Sequence, residues 1–250
     1  MTLRISVITA VYNRADTIDD ALDSVQSQTW PSVEHIIIDG ASTDGTGARL
    51  VARADQFATL LSEPDQGIYD ALNKGIARAT GDVVGFLHSD DVYAHPDVLA
   101  RIAEAFADPA VQAVYGDLEY VAQNDLQRVI RHWHSGRCTS ARLAWGWMPP
   151  HPTLYVRRAV YERWGGFDTR YRIAADYDTI LRFLYKAGLH TAYIPEVLVR
   201  MRVGGESNRS LERVLRKMYE DWQALRRNGV GGLGALLWKS LSKLPQFFRR

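Results

Sequence analysis

Val83-Val84-Gly85-Phe86-Leu87-His88-Ser89-Asp90-Asp91 begins as an apolar run and ends in a polar quartet closed by two adjacent carboxylates. The apolar part has the length of a buried strand, and Gly81 just before it stops the preceding helical pattern. The same unit recurs upstream. Leu3 to Ala10 is strand-like, Tyr12-Asn13-Arg14 interrupts it, and Asp16 or Thr17 can cap a helix to about Gln28. Val33 to Ile38 gives way to Asp39-Gly40-Ala41-Ser42, with Thr43 or Asp44 as the cap of a helix to about Ala54. Ala58 to Ser62 leads into Glu63-Pro64-Asp65-Gln66-Gly67, where Pro64 enforces a loop, and helical spacing runs from Ile68 to Ala79. Strands alternating with helices over short connections predict a parallel α/β sheet.

In such a sheet the loops after the carboxyl ends of the strands meet at one crevice, where ligands bind. Tyr12–Arg14, Asp39–Asp44, Glu63–Gly67 and Ser89–Asp91 all take that position. Two adjacent carboxylates repel each other unless a cation or donor groups relieve them. Oxygen-seeking divalent ions, Mg²⁺ or Mn²⁺, bind through one or two carboxylates plus substrate phosphates, which suits Asp90-Asp91. The competing reading of such a pair, a solvated cap of the next helix, loses to its place among three other polar loops. Asp44 serves better as a cap than Asp39, which leaves Asp39 as a candidate for a nucleobase or ribose, and Tyr12 as an aromatic able to stack on a base.

These stretches carry a family resemblance. Ser6-Val7-Ile8-Thr9-Ala10-Val11-Tyr12-Asn13, Ile38-Asp39-Gly40-Ala41-Ser42-Thr43-Asp44-Gly45-Thr46, Asp65-Gln66-Gly67-Ile68-Tyr69-Asp70-Ala71-Leu72-Asn73-Lys74-Gly75 and Gly81-Asp82 through Phe86-Leu87-His88-Ser89-Asp90-Asp91 resemble the family 2 glycosyltransferases of GT-A fold. The resemblance spans about residues 3 to 205, and within the family it is nearest to bacterial enzymes of surface polysaccharides and glycolipids. It implies a Rossmann-like, mostly parallel sheet flanked by helices. It further implies that Tyr12, Asp39 and Asp90 contact a nucleotide-sugar donor, with a UDP-sugar favoured, and that Asp91 is the metal ligand. Asp65, Gln66 and Lys74 fall in a segment that lies beside the donor in the family, although Lys74 reads equally as a solvated helix residue.

Ala174-Ala175-Asp176-Tyr177-Asp178 resembles the family segment whose Asp takes the acceptor hydroxyl's proton. Asp176 is thus the expected base and Asp178 its rival. Many members carry Glu where this chain has Ala175. A base on the face opposite the leaving group implies inversion at the anomeric carbon. Met148-Pro149-Pro150-His151-Pro152-Thr153-Leu154-Tyr155 resembles the acceptor-side segment, so His151 is an acceptor or donor contact, or a structural histidine. Trp147, like Trp145, offers a flat face to a sugar or packs in the core. Arg202, Gly204-Gly205, Ser207 and Arg209 read as a polar loop, with Arg202 and Arg209 able to close over a pyrophosphate. Polymerising relatives carry Gln-x-x-Arg-Trp, whereas Val160-Tyr161-Glu162-Arg163-Trp164 lacks the Gln, so transfer of single sugars is expected.

Residues 1–210 are expected to form the transferase domain, with 1–111 as its donor half and 112–210 as its acceptor half. Residues 211–250 are then a helical, amphipathic tail. From Gln223 onward that tail has no acid, and its basic residues alternate with Leu, Trp and Phe. It could lie on an anionic membrane surface, or pack on the domain, but it is too interrupted by charge to span a bilayer. The 250 residues are 46% apolar and carry 30 basic against 29 acidic side chains. That composition describes a globular protein, and the net charge of +1 gives no reason to expect a nucleic-acid partner. The single Cys138 cannot form an internal disulfide, and Met1 runs into the first strand without a signal-peptide pattern, so a cytoplasmic location is expected, peripheral to the membrane if the tail binds it. A glycan or a lipid-linked molecule is the expected acceptor. The first loop, Ala10-Val11-Tyr12-Asn13-Arg14-Ala15, has no glycine and so is not a nicotinamide-binding turn. The alternatives that stay open are a nucleotidyltransferase and a catalytically silent, membrane-associated scaffold.

Overall fold

The structure is a computed structural model that describes residues 2–204, 211–230 and 234. β1 (Ile5–Val11) is buried along its whole length, so it must be covered on both faces and sit inside a sheet. α1 (Ile18–Gln26) returns over that sheet with Ile18, Ala21, Leu22 and Val25 on one stripe, the spacing of a helix face turned to a core. β2 (Val33–Asp39), α2 (Thr46–Ala52), β3 (Thr59–Ser62), α3 (Ile68–Ile76) and β4 (Val83–Phe86) repeat the unit. β5 (Val92–Tyr93), α4 (Val98–Ala105), β6 (Ala113–Ala122), β7 (Asp125–Trp133) and α5 (Ser140–Ala144) follow. The chain closes with β8 (Tyr155–Arg157), α6 (Arg158–Trp164), α7 (Ala175–Ile180), β9 (Thr191–Arg202) and α8 (Leu211–Arg227).

Among the described residues the strands form one nine-stranded sheet in the order β3-β2-β1-β4-β8-β6-β9-β5, with β7 added to β6. The first four strands are mutually parallel, and β6 runs parallel to β9. The shorter β4–β8, β6–β8 and β5–β9 ladders and the β6–β7 hairpin are antiparallel. Most of the ladder length is therefore parallel, as the alternation predicts. The register fixes the site: Val11 stands opposite Asp39, and Asp39 opposite Ser62. Ile8 pairs with Phe86, which brings the loop after β4 to the same edge. One apolar cluster joins Ile8, Ile36 and Phe86 to Tyr115, Tyr177, Phe183 and Leu225, so both halves and α8 share a core.

Local irregularities mark the second half. β6 crosses Gly116 as one strand, with a shift against β9 between Gly116 and Leu118. α7 is followed by a π-helical stretch, Leu181–Lys186. β9 runs on past Ile194 to Arg202, where a polar loop was expected to begin. The apolar and basic positions of the tail from Leu233 onward, like Arg209, lie outside the described residues.

Gly85 allows β4 and β8 to approach. A Cβ there would come within 2.0 Å of the Tyr155 ring, whose hydroxyl bonds that of Tyr93 deep in the core. Gly85→Ala must displace a fully buried ring, and overpacking of this kind costs about 1–3 kcal/mol. An unfolding free energy lowered by that amount, read as a lower denaturant midpoint at unchanged slope, is the expected result.

Candidate functional site

The loops after β1 and β2 are tied to each other. Asn13 donates its backbone N–H to Ser42 Oγ at 2.9 Å and accepts from Thr43 at its side-chain oxygen at 2.8 Å. Asn13 and Ala41, at φ 52° and 60°, are the non-glycine residues in the left-handed region among those described. Such strain persists where the surroundings over-determine the backbone, commonly at binding sites. Asp44 accepts from Thr46 N–H at 3.0 Å and from Ala15 N–H at 3.1 Å, so it joins the start of α2 to the first loop. Those bonds, with that from the Thr46 hydroxyl foremost, hold its carboxyl down at about 2.

Tyr12 is 59% exposed on this rim. A Cβ on Gly40 would lie 3.0 Å from Asp65 Oδ2 and 3.3 Å from the Tyr12 ring, so these three residues enclose one spot. Asp39 is 1% exposed and already occupied: its oxygens accept from the Ser42 hydroxyl at 2.5 Å, the Ser62 hydroxyl at 2.6 Å and Ser42 N–H at 3.2 Å. Its observed task is to shape the loop, and any contact with a base must use a remaining lone pair. Lys74 does not stand free for a phosphate. It bonds Asp65 at 2.5 Å, Glu63 at 2.9 Å and the Pro64 carbonyl at 3.0 Å, with Asp70 at 3.4 Å, and these acids hold its ammonium well above the ordinary range. Gln66 is exposed, and its backbone N–H donates to Asp70.

Asp90 and Asp91 part company. Asp90 is partly exposed, with Arg14 Nε 3.8 Å away. Asp91 is 1% exposed; its Oδ1 accepts from Arg202 N–H at 3.3 Å, while its buried Oδ2 has no partner. Burial, reinforced by Asp90, pushes the Asp91 carboxyl far above the usual carboxylate range against the opposing pull of Arg202. A buried carboxylate oxygen left unpaired beside a second carboxylate fits a divalent cation, since an ion would satisfy both the oxygen and the charge. Arg202 is no loop residue. It ends β9, is 6% exposed, and is held by Asp20, the Asp90 carbonyl at 2.7 Å and the Gln123 carbonyl at 3.1 Å. A guanidinium so committed braces the acidic pair and cannot close over a pyrophosphate.

Asp176, in the first turn of α7, accepts from the Tyr69 hydroxyl at 3.3 Å and lies 3.3 Å from His151 Nδ1. His151 Nε2 is 3.0 Å from His88 Nε2, in the loop that also carries Asp90-Asp91. The tautomers follow from the partners. With its proton on Nδ1, facing Asp176, His151 accepts at Nε2 and His88 Nε2 donates. Burial lowers His88 to about 4, and the neighbouring His151 adds to this; burial also lowers His151, while Asp176 opposes it. The Asp176 carboxylate and the two imidazoles thus form one row that ends in the loop carrying the acidic pair. Asp178 turns elsewhere, accepting from Asn228 at 2.9 Å beside Arg182, so it stitches α7 to the chain after α8.

Glu220 of α8 holds this row in place. Its carboxylate, 6% exposed, accepts backbone N–H bonds from Arg172 at 3.2 Å, Ile173 at 2.8 Å and Ala174 at 2.9 Å, directly ahead of Asp176. The Tyr69 hydroxyl bonds the Ile173 carbonyl at 2.7 Å from the other side. Trp147 is engaged too: its indole donates to the Ser135 carbonyl at 3.1 Å, packs edge-on to Tyr115 and lies under Arg142. The more exposed face of this segment is Trp145, at 58%. Reading the sequence passes over His88, Tyr69, Glu220 and Arg14 as site residues. His88 and Tyr69 lie inside quoted motifs and could have been singled out, whereas nothing near Glu220 in sequence marks it. A cleft of about 320 Å³ lined by Asp168, Arg170, Asp178 and Arg227 contains none of the strand-end acids and is not the donor site.

Residues 6–167 match the profile of Glycosyl transferase family 2. An uncharacterized glycosyltransferase of Mycobacterium tuberculosis is 35% identical over 186 residues, 71% of this chain and 68% of the relative. A PGL/p-HBAD biosynthesis glycosyltransferase of Mycobacterium bovis is 32% identical over 212 residues, 81% of this chain and 78% of its own length. Among solved structures, S. aureus TarS 1–349 in complex with UDP-GlcNAc superposes with a TM-score of 0.72 at 18% identity, covering 90% of this chain and 65% of that one. Mannosyltransferase PcManGT from Pyrobaculum calidifontis, in complex with GDP-Man and Mn²⁺, does so with a TM-score of 0.68 at 22% identity, covering 98% of this chain and 71% of that one. At those identities the two structures speak for the fold. With the sequence relatives and the profile, they decide against the nucleotidyltransferase and the silent scaffold: the chain belongs to glycosyl transferase family 2 and is a glycosyltransferase of GT-A fold.

Proposed function

We propose that this enzyme transfers single sugars, with inversion, from a nucleoside-diphosphate donor to a hydroxyl of a glycan or a lipid-linked acceptor. The observation that carries the reading is the row Asp176–His151–His88, which links an accessible carboxylate to the loop bearing Asp90 and Asp91. Tyr12, Gly40 and Asp65 form the nucleoside end, and a UDP-sugar remains the favoured donor. Asp91, with Asp90, is the holder of a divalent cation, Mg²⁺ or Mn²⁺, which when bound would neutralise charge on the departing diphosphate. Asp176 takes the acceptor proton as the hydroxyl oxygen attacks the anomeric carbon, because a neutral hydroxyl is a weak nucleophile without a positioned base. His151 Nδ1–H and the Tyr69 hydroxyl fix the orientation of that carboxylate. Attack from the side opposite the leaving group inverts the anomeric centre. No described helix is long and apolar enough to cross a membrane.

The test is calorimetric binding of UDP, GDP and dTDP, each with and without Mn²⁺, followed by NMR of the product formed from the sugar donor that binds. One nucleotide bound in a metal-dependent way and a product of inverted anomeric configuration are expected. A retained configuration would overturn the base assignment, and binding of no nucleotide would overturn the donor site.

The histidine row also predicts a pH dependence. His88 sits near 4 and so stays neutral where a free histidine titrates, and burial displaces His151 downward as well. The histidines should give log kcat/KM no inflection at or above 6.5, measured from pH 5 to 8. For stability the sign is that of a depressed pKa: the unfolded chain takes up protons first, so the contribution of His88 is complete above about 6.5 and declines toward about 4.

A further inference from the structure

Asp117, His132 and His134 lie on the β6–β7 hairpin and share no residue with the row just described. Each can present one ligand atom so that the three lie within 4.8 Å of one another. His132 and His134 stand two apart, so both point to one face of the hairpin, and their rings stack at 4.2 Å between centroids. Asp117 is 3% exposed at the irregularity of β6; its Oδ1 accepts from Ser135 N–H and the Tyr193 hydroxyl, both at 2.8 Å, and its Oδ2 lies 3.1 Å from His134 Nδ1. The His132 Nε2 atom is buried without a partner, while its Nδ1 faces Glu119 Oε1 at 3.5 Å.

We propose that Asp117, His132 and His134 form a second metal site, one for a borderline transition ion such as Zn²⁺ or Co²⁺. Two imidazoles and one carboxylate suit such ions and do not suit Mg²⁺. In a tetrahedral site with bonds of ~2.0–2.1 Å, neighbouring ligand atoms stand about 3.3 Å apart. The Asp117–His134 pair is already at that spacing, and the exposed His134 has freedom to move as His132 closes in. Glu119 completes the arrangement in the usual way, since ligating histidines turn their second nitrogen to a carboxylate. Water takes the fourth position. The site has a structural consequence for the acceptor half, because the adjacent Ser135 carbonyl receives both Trp147 and Arg142. A bound ion pins the start of that segment.

Co²⁺ is the probe, since four-coordinate Co²⁺ absorbs intensely in the visible and six-coordinate Co²⁺ only weakly. The full chain, freed of metal by chelation, is titrated with Co²⁺ and then challenged with Zn²⁺, in the wild type and in Asp91→Asn. Both should bind one equivalent with the intense spectrum and lose it to Zn²⁺. His134→Ala, at an exposed position that does not threaten folding, and His132→Ala should abolish the spectrum, and Glu119→Gln should weaken binding by roughly 10-fold or more. A weak six-coordinate spectrum, or an intense one that survives both histidine replacements, overturns the proposal. So does an intense spectrum that vanishes in Asp91→Asn, which would assign the ion to the donor site.

Discussion

Asp176→Asn is expected to lower kcat by about 10²–10⁴-fold, the range that a positioned general base contributes, while donor affinity changes by less than about twofold. The substitution nearly preserves shape. An Asn oxygen can still accept from Tyr69 or from His151, so the loop keeps its anchors at Ile173 and Ala174, which run through Glu220 and Tyr69 rather than through Asp176 itself. What is lost is the ability to take a proton. Asp178→Asn should behave differently, since Asp178 bonds Asn228 in a buried seam, and its replacement should lower Tm with a smaller effect on turnover. Steady-state transfer and nucleotide binding, measured on both variants, separate the two roles. An Asp176→Asn enzyme that keeps a tenth or more of its activity would eliminate Asp176 as the base.

Asp91→Asn is expected to abolish the metal dependence of donor binding and to reduce kcat/KM by about 10²–10³-fold, the range seen when one preorganised electrostatic group is removed. The metal-free protein should hardly notice. Burial pushes the Asp91 carboxyl upward, which disfavours its charged form without metal, and Asn fills the same space with a neutral group, so Tm without metal should move by no more than about 2 °C. The same upward shift gives metal binding a proton linkage. An ion competes with protons for the Asp91 carboxylate, so apparent metal affinity should rise with pH, and calorimetry in buffers of different ionisation enthalpy should register proton release on binding. Unaltered Mn²⁺-dependent nucleotide affinity in the variant would move the ion to the more exposed Asp90.

The fold was legible because its evidence is local. Runs such as Val33–Ile38 and Val83–Leu87 declare buried strands, and loops between them must gather at one edge once the strands are parallel. The donor loops and the acidic pair came with them. Commitments between distant residues were not legible. Arg202 reads as a loop arginine because its partners Asp20 and Asp91 lie 182 and 111 positions away. Lys74 and Asp39 read as ligand contacts because no local rule reveals that Asp65 and Ser62 already hold them. His151 was a candidate without a task until His88, 63 positions earlier, and Asp176 were found on either side of its ring.

Glu220 sets a lower limit on how short an active version of this enzyme can be. A truncation at residue 210 would look innocuous on an alignment of motifs, since every strand and every acid discussed as donor ligand or base precedes it. It would nonetheless strip the N–H groups of residues 172–174 of the Glu220 carboxylate that accepts from all three, remove Asn228 from Asp178 and take Ala224, Leu225 and Val230 out of the apolar interior. Such a fragment should still recognise nucleotide through loops built on β1 to β4, yet fail to transfer sugar. The smallest catalytically complete chain is therefore expected to extend through Val230, which activity of fragments ending at 210 and at 230 would check.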